Sequence, residues 1–234
     1  MLSVAAATSL RAGVEALLAE FREANPGVGV SVTYGSSGSL FAQIANRAPF
    51  DFFLSADIDY PRKLIEDDLA IRNSLFRYAR GSLVLWVRNE SMIDPNRNGM
   101  DTLTQSNVRR IAIANPRLAP YGAAAESAIR KYGVYERVGN KLVMAENIGQ
   151  AAQFAESGAV DVAIIAKSLA NAPPLESRGR FWPVPDDMHP AIMHEGVILK
   201  RVVDQAAANG LRSFILSQRG QEILHQYGFN RPGD

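Results

Sequence analysis

Cysteine is absent from these 234 residues, so the chain as it stands has no disulfide, thiolate metal centre, cysteine nucleophile or lipid-bearing cysteine. Histidine is scarce, at three. Neither sign of charge is in excess: 25 Lys and Arg face 24 Asp and Glu, scattered rather than blocked, which gives no reason to expect a nucleic acid or an anionic membrane as partner. No apolar run approaches the ~18 residues of a membrane span, and no basic-then-apolar leader precedes the first apolar stretch. An exported form is expected to have lost its signal peptide before this sequence begins. The length allows one large domain or two compact lobes, with a substantial core that needs no staples.

What is present is a set of strand-to-helix junctions. Val28, Val30, Val32 and Tyr34 alternate as in a strand, and Leu40, Phe41 and Ile44 recur at helical spacing. Between them Gly35-Ser36-Ser37-Gly38-Ser39 occupies a helix N-terminus, where unpaired N–H groups, the helix dipole and serine hydroxyls can hold an anion. For one such loop, helix capping by Ser37 or Ser39 is the plainer reading. The junction, however, recurs. Leu2 to Ala7 forms a short apolar strand, Thr8-Ser9 follows, and a helix carries Leu10, Val14, Leu17, Leu18 and Phe21 up to Asn25-Pro26-Gly27. Capping and ligand contact are equally open for Thr8 and Ser9.

Asp51 to Ser55 reads as a buried strand, and Ala56-Asp57 leads into a helix with Leu64 and Ile65, so the chain winds as β/α units with parallel strands. In such sheets ligands bind at the carboxyl ends of strands. Phe76 to Arg88 is a long strand broken at Gly81, which places a lobe boundary near Arg80. A second winding follows: strand Ile111–Ala114, the loop Asn115 to Gly122, and a helix from about Ala123 through Tyr132. A further strand, Lys141–Ala145, leads to Asn147, which caps a helix packed through Ala151, Ala152, Phe154 and Ala155. The Pro120-Tyr121-Gly122 loop suits either an ordinary turn or main-chain N–H groups facing a ligand. Capping explains Asn147, with the backbone N–H of Ile148 as the functional alternative. Ser157 to Ala166 turns into a buried strand, and Phe181 to Pro185 reads as extended, irregular chain. Glu195 to Leu199 reads as a second crossing strand, and closing helices carry Val203, Ala207, Leu211, Phe214, Ile215, Ile223 and Leu224.

Enzymatic patterns are lacking. Position 39 is Ser, which rules out a G-x-S-x-G elbow, and no G-x-x-x-x-G-K-[ST] loop occurs. Asp186, Asp187, His189, His194 and Glu195 lack H-E-x-x-H spacing, and Pro190 breaks any helix there, so a solvated interlobe loop is the expected reading. His225 is isolated and is expected to pack or cap.

Taken together, Ala5-Ala6-Ala7-Thr8-Ser9-Leu10, Gly35-Ser36-Ser37-Gly38-Ser39 with Ala42-Gln43-Ile44, Ala48-Pro49-Phe50-Asp51 with Leu54-Ser55-Ala56-Asp57, Asn115-Pro116 with Ala119-Pro120-Tyr121-Gly122, and Tyr227-Gly228-Phe229 resemble the periplasmic molybdate-binding proteins of ABC importers, in this order across essentially the whole chain. The resemblance implies an α/β, two-lobed periplasmic-binding-protein-like fold of type II, with mainly parallel sheets flanked by helices and a ligand cleft between the lobes. The first lobe is expected at 1–80 plus about 196–234 and the second at 81–195, with crossing strands near 78–83 and 194–199. It implies an oxyanion held by Thr8, Ser9, Ser37 and the backbone at Tyr121 and Ile148. The chain would need no cofactor or protein-coordinated cation, and would be a non-enzymatic, periplasmic monomer whose partner is a membrane permease. Many members of that family place a tyrosine near position 166, where this chain has Ala166. The expected replacement is the Thr8 hydroxyl.

Molybdate and tungstate are fully deprotonated near neutral pH, so a site for them need only donate, as hydroxyls and N–H groups do. Asp57 and Glu146 lie close in sequence to the expected contacts. Sulfate is also a deprotonated tetrahedral dianion, and only cavity size and donor spacing separate it. A receptor for sulfate or another oxyanion is therefore the first alternative, and a small-molecule-sensing effector module the second.

Overall fold

In the computed structural model, which describes residues 1–233, the chain forms two compact units, Met1–Arg80 with Met193–Asp234 and Gly81–Ile192. The first unit opens with β1 (Leu2–Ala7), a 3-10 turn (Thr8–Leu10), α1 (Arg11–Ala24), β2 (Val30–Gly35), α2 (Ser37–Ala45), β3 (Phe52–Leu54), α3 (Asp59–Glu66) and β4 (Phe76–Gly81). The second contains β5 (Leu83–Arg88), α4 (Pro95–Asn98), β6 (Ile111–Ala114), α5 (Pro120–Lys131), α6 (Tyr135–Val138), β7 (Leu142–Ala145), α7 (Ile148–Ser157), β8 (Val162–Ala166), α8 (Lys167–Ala170), α9 (Leu175–Arg178) and β9 (Gly179–Pro183). The chain then returns to the first unit through β10 (Ile192–Ile198), α10 (Gln205–Leu216) and α11 (Gln218–Gln226).

Each unit has a five-stranded sheet, ordered β2-β1-β3-β10-β4 in the first and β7-β6-β8-β5-β9 in the second. Three strands of each run parallel, as βα winding requires, and the strands added from elsewhere pair antiparallel: β10 on β3, and β5 on β8 and β9. The break at Gly81 separates β4 and β5, which belong to different sheets. All of β10 joins the first sheet, so residues 193–195 group with the first unit.

Local sequence explains the elements. In α1, Val14, Leu17, Leu18 and Phe21 are buried on one face, and the helix stops where Asn25 Nδ2 donates to the Phe21 carbonyl at 2.9 Å, just before Pro26. The three residues of β3 are buried because β1 and β10 flank the strand and helices cover both faces. Phe53 packs with Ala5, Leu40, Leu64 and Val197, and each large apolar side chain so buried contributes about 1.5–3 kcal/mol.

The elements differ from the sequence reading in four places. Helix α5 begins at Pro120 rather than Ala123, because proline is well suited to a first helical position. Phe181–Pro183 belongs to a strand, β9, at the sheet edge, where proline is tolerated. Val203 is 93% exposed: the Asp204 side chain caps α10 by accepting the Ala207 N–H at 2.9 Å, so Val203 precedes the helix and lies off its packing face. Finally, His194 and Glu195 lie buried in β10 and not in a solvated loop. The His194 ring sits edge-to-face with Phe229, centroids 5.3 Å apart, and Glu195 Oε1 accepts from Arg62 and Arg77 Nη2, each at 3.0 Å. Two guanidiniums offset the desolvation of that carboxylate.

Candidate oxyanion-binding loops

In the first unit β1 and β2 run side by side, with Ala7 opposite Gly35. The residues that follow them therefore emerge together at the carboxyl ends of the strands, Thr8 and Ser9 from β1 and Ser36 and Ser37 from β2. All four are buried, and Ser37 is fully so. The Thr8 hydroxyl has no hydrogen-bond partner among the described residues. A buried hydroxyl left in that state costs roughly 1–3 kcal/mol, which a bound acceptor would recover.

The serine loop divides its tasks. Ser36, not Ser37 or Ser39, is the N-cap of α2: its side chain accepts the Ser39 N–H at 3.3 Å, and the Ser36 and Ser39 hydroxyl oxygens lie 2.5 Å apart. Ser37 lies outside this cap. Its Oγ accepts the Ala56 N–H at 3.0 Å, from the loop after β3. With that lone pair occupied, the Ser37 O–H proton is left to donate elsewhere.

The loop after β3, Ser55 to Asp57, lies outside the expected contact residues, and it supports Ser37 directly. Ser55 is fully buried. Its N–H donates to the Glu195 carbonyl at 3.0 Å, its carbonyl accepts from the Tyr78 hydroxyl at 2.9 Å, and its Oγ accepts the Asp57 N–H at 3.3 Å. Asp57 Oδ1 accepts the N–H groups of Asp59 and Tyr60, both at 3.0 Å, whereas Oδ2 is buried with no partner among the described residues. Burial is the main cause that pushes the Asp57 carboxyl up to about 6, against the lowering effect of its hydrogen bonds.

The second unit repeats the arrangement with backbone donors. Strands β6 and β7 are parallel, with Ala114 opposite Ala145, so the loops leading to α5 and α7 emerge side by side. Tyr121 is the second residue of α5, at the positive end of the helix dipole. Gly122 allows that helix to start so close to the sheet, since a Cβ there would lie 2.2 Å from the Ala114 carbonyl oxygen. Ile148 is the first residue of α7. Its cap, Asn147, accepts from Gly149 and Gln150 but not from Ile148, and Gln150 Oε1 reaches back to the Glu146 N–H at 2.7 Å. Ala166 ends β8, fully buried, and contributes no hydroxyl.

Elsewhere, His189 Nδ1 donates to the Pro190 carbonyl at 2.8 Å, and His225 is exposed in the last turn of α11. Among the described residues no three His, Cys, Asp or Glu side chains group as metal ligands, and no helix is long and apolar enough to cross a membrane.

Two α/β units, each with parallel strands that deliver donor loops into helix N-termini, define the class of solute receptors. A family model for bacterial extracellular solute-binding proteins matches residues 2–230. The molybdate-binding protein ModA of Rhodobacter capsulatus is 36% identical over 200 residues, covering 86% of this chain and 77% of its own length. That of Azotobacter vinelandii is 33% identical over 226 residues, covering 97% and 88%. The solved periplasmic molybdate-binding protein of Azotobacter vinelandii superposes with a TM-score of 0.92 at 32% identity, covering 99% of this chain and all of its own. The chain belongs to the bacterial extracellular solute-binding proteins and, within them, to the family of ModA.

Proposed function

We propose that the chain binds molybdate or tungstate reversibly outside the cytoplasm and passes it to the membrane permease of an ABC importer. In this reading Thr8, Ser9 and Ser37 donate from the first unit and the N–H groups of Tyr121 and Ile148 from the second. The observation that carries it is the pair Thr8 and Ser37: one buried hydroxyl without a partner among the described residues, and one whose oxygen is occupied so that its proton is available. Neutral donors match an anion whose oxygens only accept, and they avoid burying a second charge. Thr8 stands in for the hydroxyl that Ala166 does not supply. The ligand undergoes no covalent change, no cofactor is required, and the receptor acts as a monomer in the periplasm.

Titration calorimetry of ligand-free protein with molybdate, tungstate, sulfate and phosphate in one buffer tests this. One-to-one binding of the first two with little heat from the others is the expected result. A preference for sulfate or phosphate would keep an oxyanion receptor and overturn the named ligand, and no heat with any of the four would overturn the reading.

A further inference from the structure

The loops that carry Thr8, Ser9 and Ser37 are flanked by sequence almost devoid of charge. Within residues 1–14 and 27–46, Arg11 is the one ionisable side chain of formal charge. It is exposed at the first position of α1, two residues beyond Ser9. Its guanidinium carbon lies 4.3 Å from the centroid of the Tyr34 ring, and the Tyr34 hydroxyl donates to Glu15 Oε1 at 2.8 Å, one turn further along α1. Burial first, and then the Glu15 hydrogen bond, raise the Tyr34 phenol above its ordinary range, so the ring stays neutral and keeps its cation-attracting face. Tyr34 precedes the Gly35-Ser36-Ser37 loop, and Ala7 is opposite Gly35, so the Arg11–Tyr34 contact joins the helix that follows one donor loop to the strand that leads into the other. Asp57, on the third loop, carries the opposing charge when ionised.

We propose that Arg11 is the capture residue of the first unit: a cation held beside the neutral donors that draws the oxyanion in and sets its association rate, without joining the bonds that retain it. This rests on the oxyanion reading above. A charge kept at the surface attracts a dianion without the desolvation cost of one inside the site, and steering of this kind shows in association rather than dissociation. Glu15 accepts from the Tyr34 hydroxyl and so fixes the ring on which the guanidinium rests, while its own negative charge stays one turn along α1 from Arg11.

Stopped-flow association with molybdate, read by intrinsic fluorescence between 10 and 500 mM ionic strength, tests the assignment with Arg11→Gln, Arg11→Lys and Tyr34→Leu. A unit charge acting on a dianion at about 7–10 Å, well inside the ~30 Å Debye length at 10 mM salt, changes the encounter rate by about three- to fivefold. Arg11→Gln is expected to lose that factor at 10 mM and converge on wild type at 500 mM, with the dissociation rate within about twofold. Arg11→Lys is expected to retain most of the rate, and Tyr34→Leu to fall between the two. An unchanged association rate for Arg11→Gln at 10 mM, or a loss carried mainly by dissociation, would overturn the assignment while wild-type binding leaves the receptor reading intact. Wild-type protein that binds no oxyanion in calorimetry would overturn both.

Discussion

The Ser37 hydroxyl oxygen accepts the N–H of Ala56 at 3.0 Å, so one hydrogen bond joins the start of α2 to the loop after β3. This bond gives Ser37 two roles, since the same group that would donate to an anion also anchors a neighbouring loop.

Ser37→Ala is therefore expected to act on binding and on stability. Loss of a hydroxyl donor to a charged acceptor should weaken molybdate binding by about 1.5–3 kcal/mol, roughly 10- to 150-fold. The buried Ala56 N–H, deprived of its acceptor, should cost about 1–3 kcal/mol in urea unfolding of the ligand-free protein. Ser39→Ala is the contrast. It removes the Ser39 hydroxyl's bonds to Ser36 and leaves the Ser39 N–H in the cap, so about 0.5–1.5 kcal/mol of stability should go while affinity stays within a few-fold.

Thr8→Val should do what few binding-site substitutions do, and raise the stability of the ligand-free protein. The change keeps the branched shape and removes a buried hydroxyl that has no partner among the described residues. Unfolding should shift in favour of the variant by about 0.5–2 kcal/mol, while calorimetry shows molybdate binding at least about tenfold weaker. A variant less stable than wild type would show that Thr8 is engaged within the fold rather than reserved for a ligand.

Much of this arrangement was legible because it depends on local pattern. Alternating Val30 and Val32, the run Asp51 to Ser55 and the break at Gly81 report strands through periodicity, and Asn147 reports a helix start through capping chemistry. What was not legible depends on tertiary partners. That Ser36 rather than Ser37 caps α2 follows from the hold of Ala56 on Ser37, a contact 19 residues away in sequence. The burial of His194 and Glu195 was hidden because their surroundings come from Phe229, Arg62 and Arg77, none of them neighbours in the chain. Val203 looked like part of a helical stripe until Asp204 set the helix start behind it.

Gly122→Ala tests whether the position of a helix N-terminus matters in the second unit. The added methyl carbon would fall 2.2 Å from the Ala114 carbonyl oxygen, a backbone atom that cannot swing aside. Helix α5 must shift away from β6, and the Tyr121 N–H shifts with it. A stability loss of about 1–3 kcal/mol is expected, as for overpacking elsewhere. If that N–H is a ligand contact, molybdate affinity should fall by more than tenfold in protein that remains folded by circular dichroism. Ala123→Gly, one residue on at an exposed site, is expected to leave affinity within a few-fold.

Asp57 sets a pH dependence whose sign follows from its burial. Its carboxyl is raised from 3.8 to about 6 in the folded protein, chiefly by desolvation, so the folded state holds its proton more tightly than the unfolded chain. Below about pH 3.8 both states are protonated and the stabilising contribution is fully present. Between 3.8 and about 6 the unfolded chain releases its proton first, and stability declines as pH rises. Above about 6 both are ionised and the loss is complete. Asp57→Asn removes the charge and keeps a carbonyl oxygen for the N–H groups of Asp59 and Tyr60. Urea unfolding should show no advantage of the variant at pH 3.5 and one of about 1–3 kcal/mol at pH 7, constant to pH 8. A variant less stable than wild type at pH 7 would mean that the ionised carboxylate gains more from those two N–H groups than its burial costs.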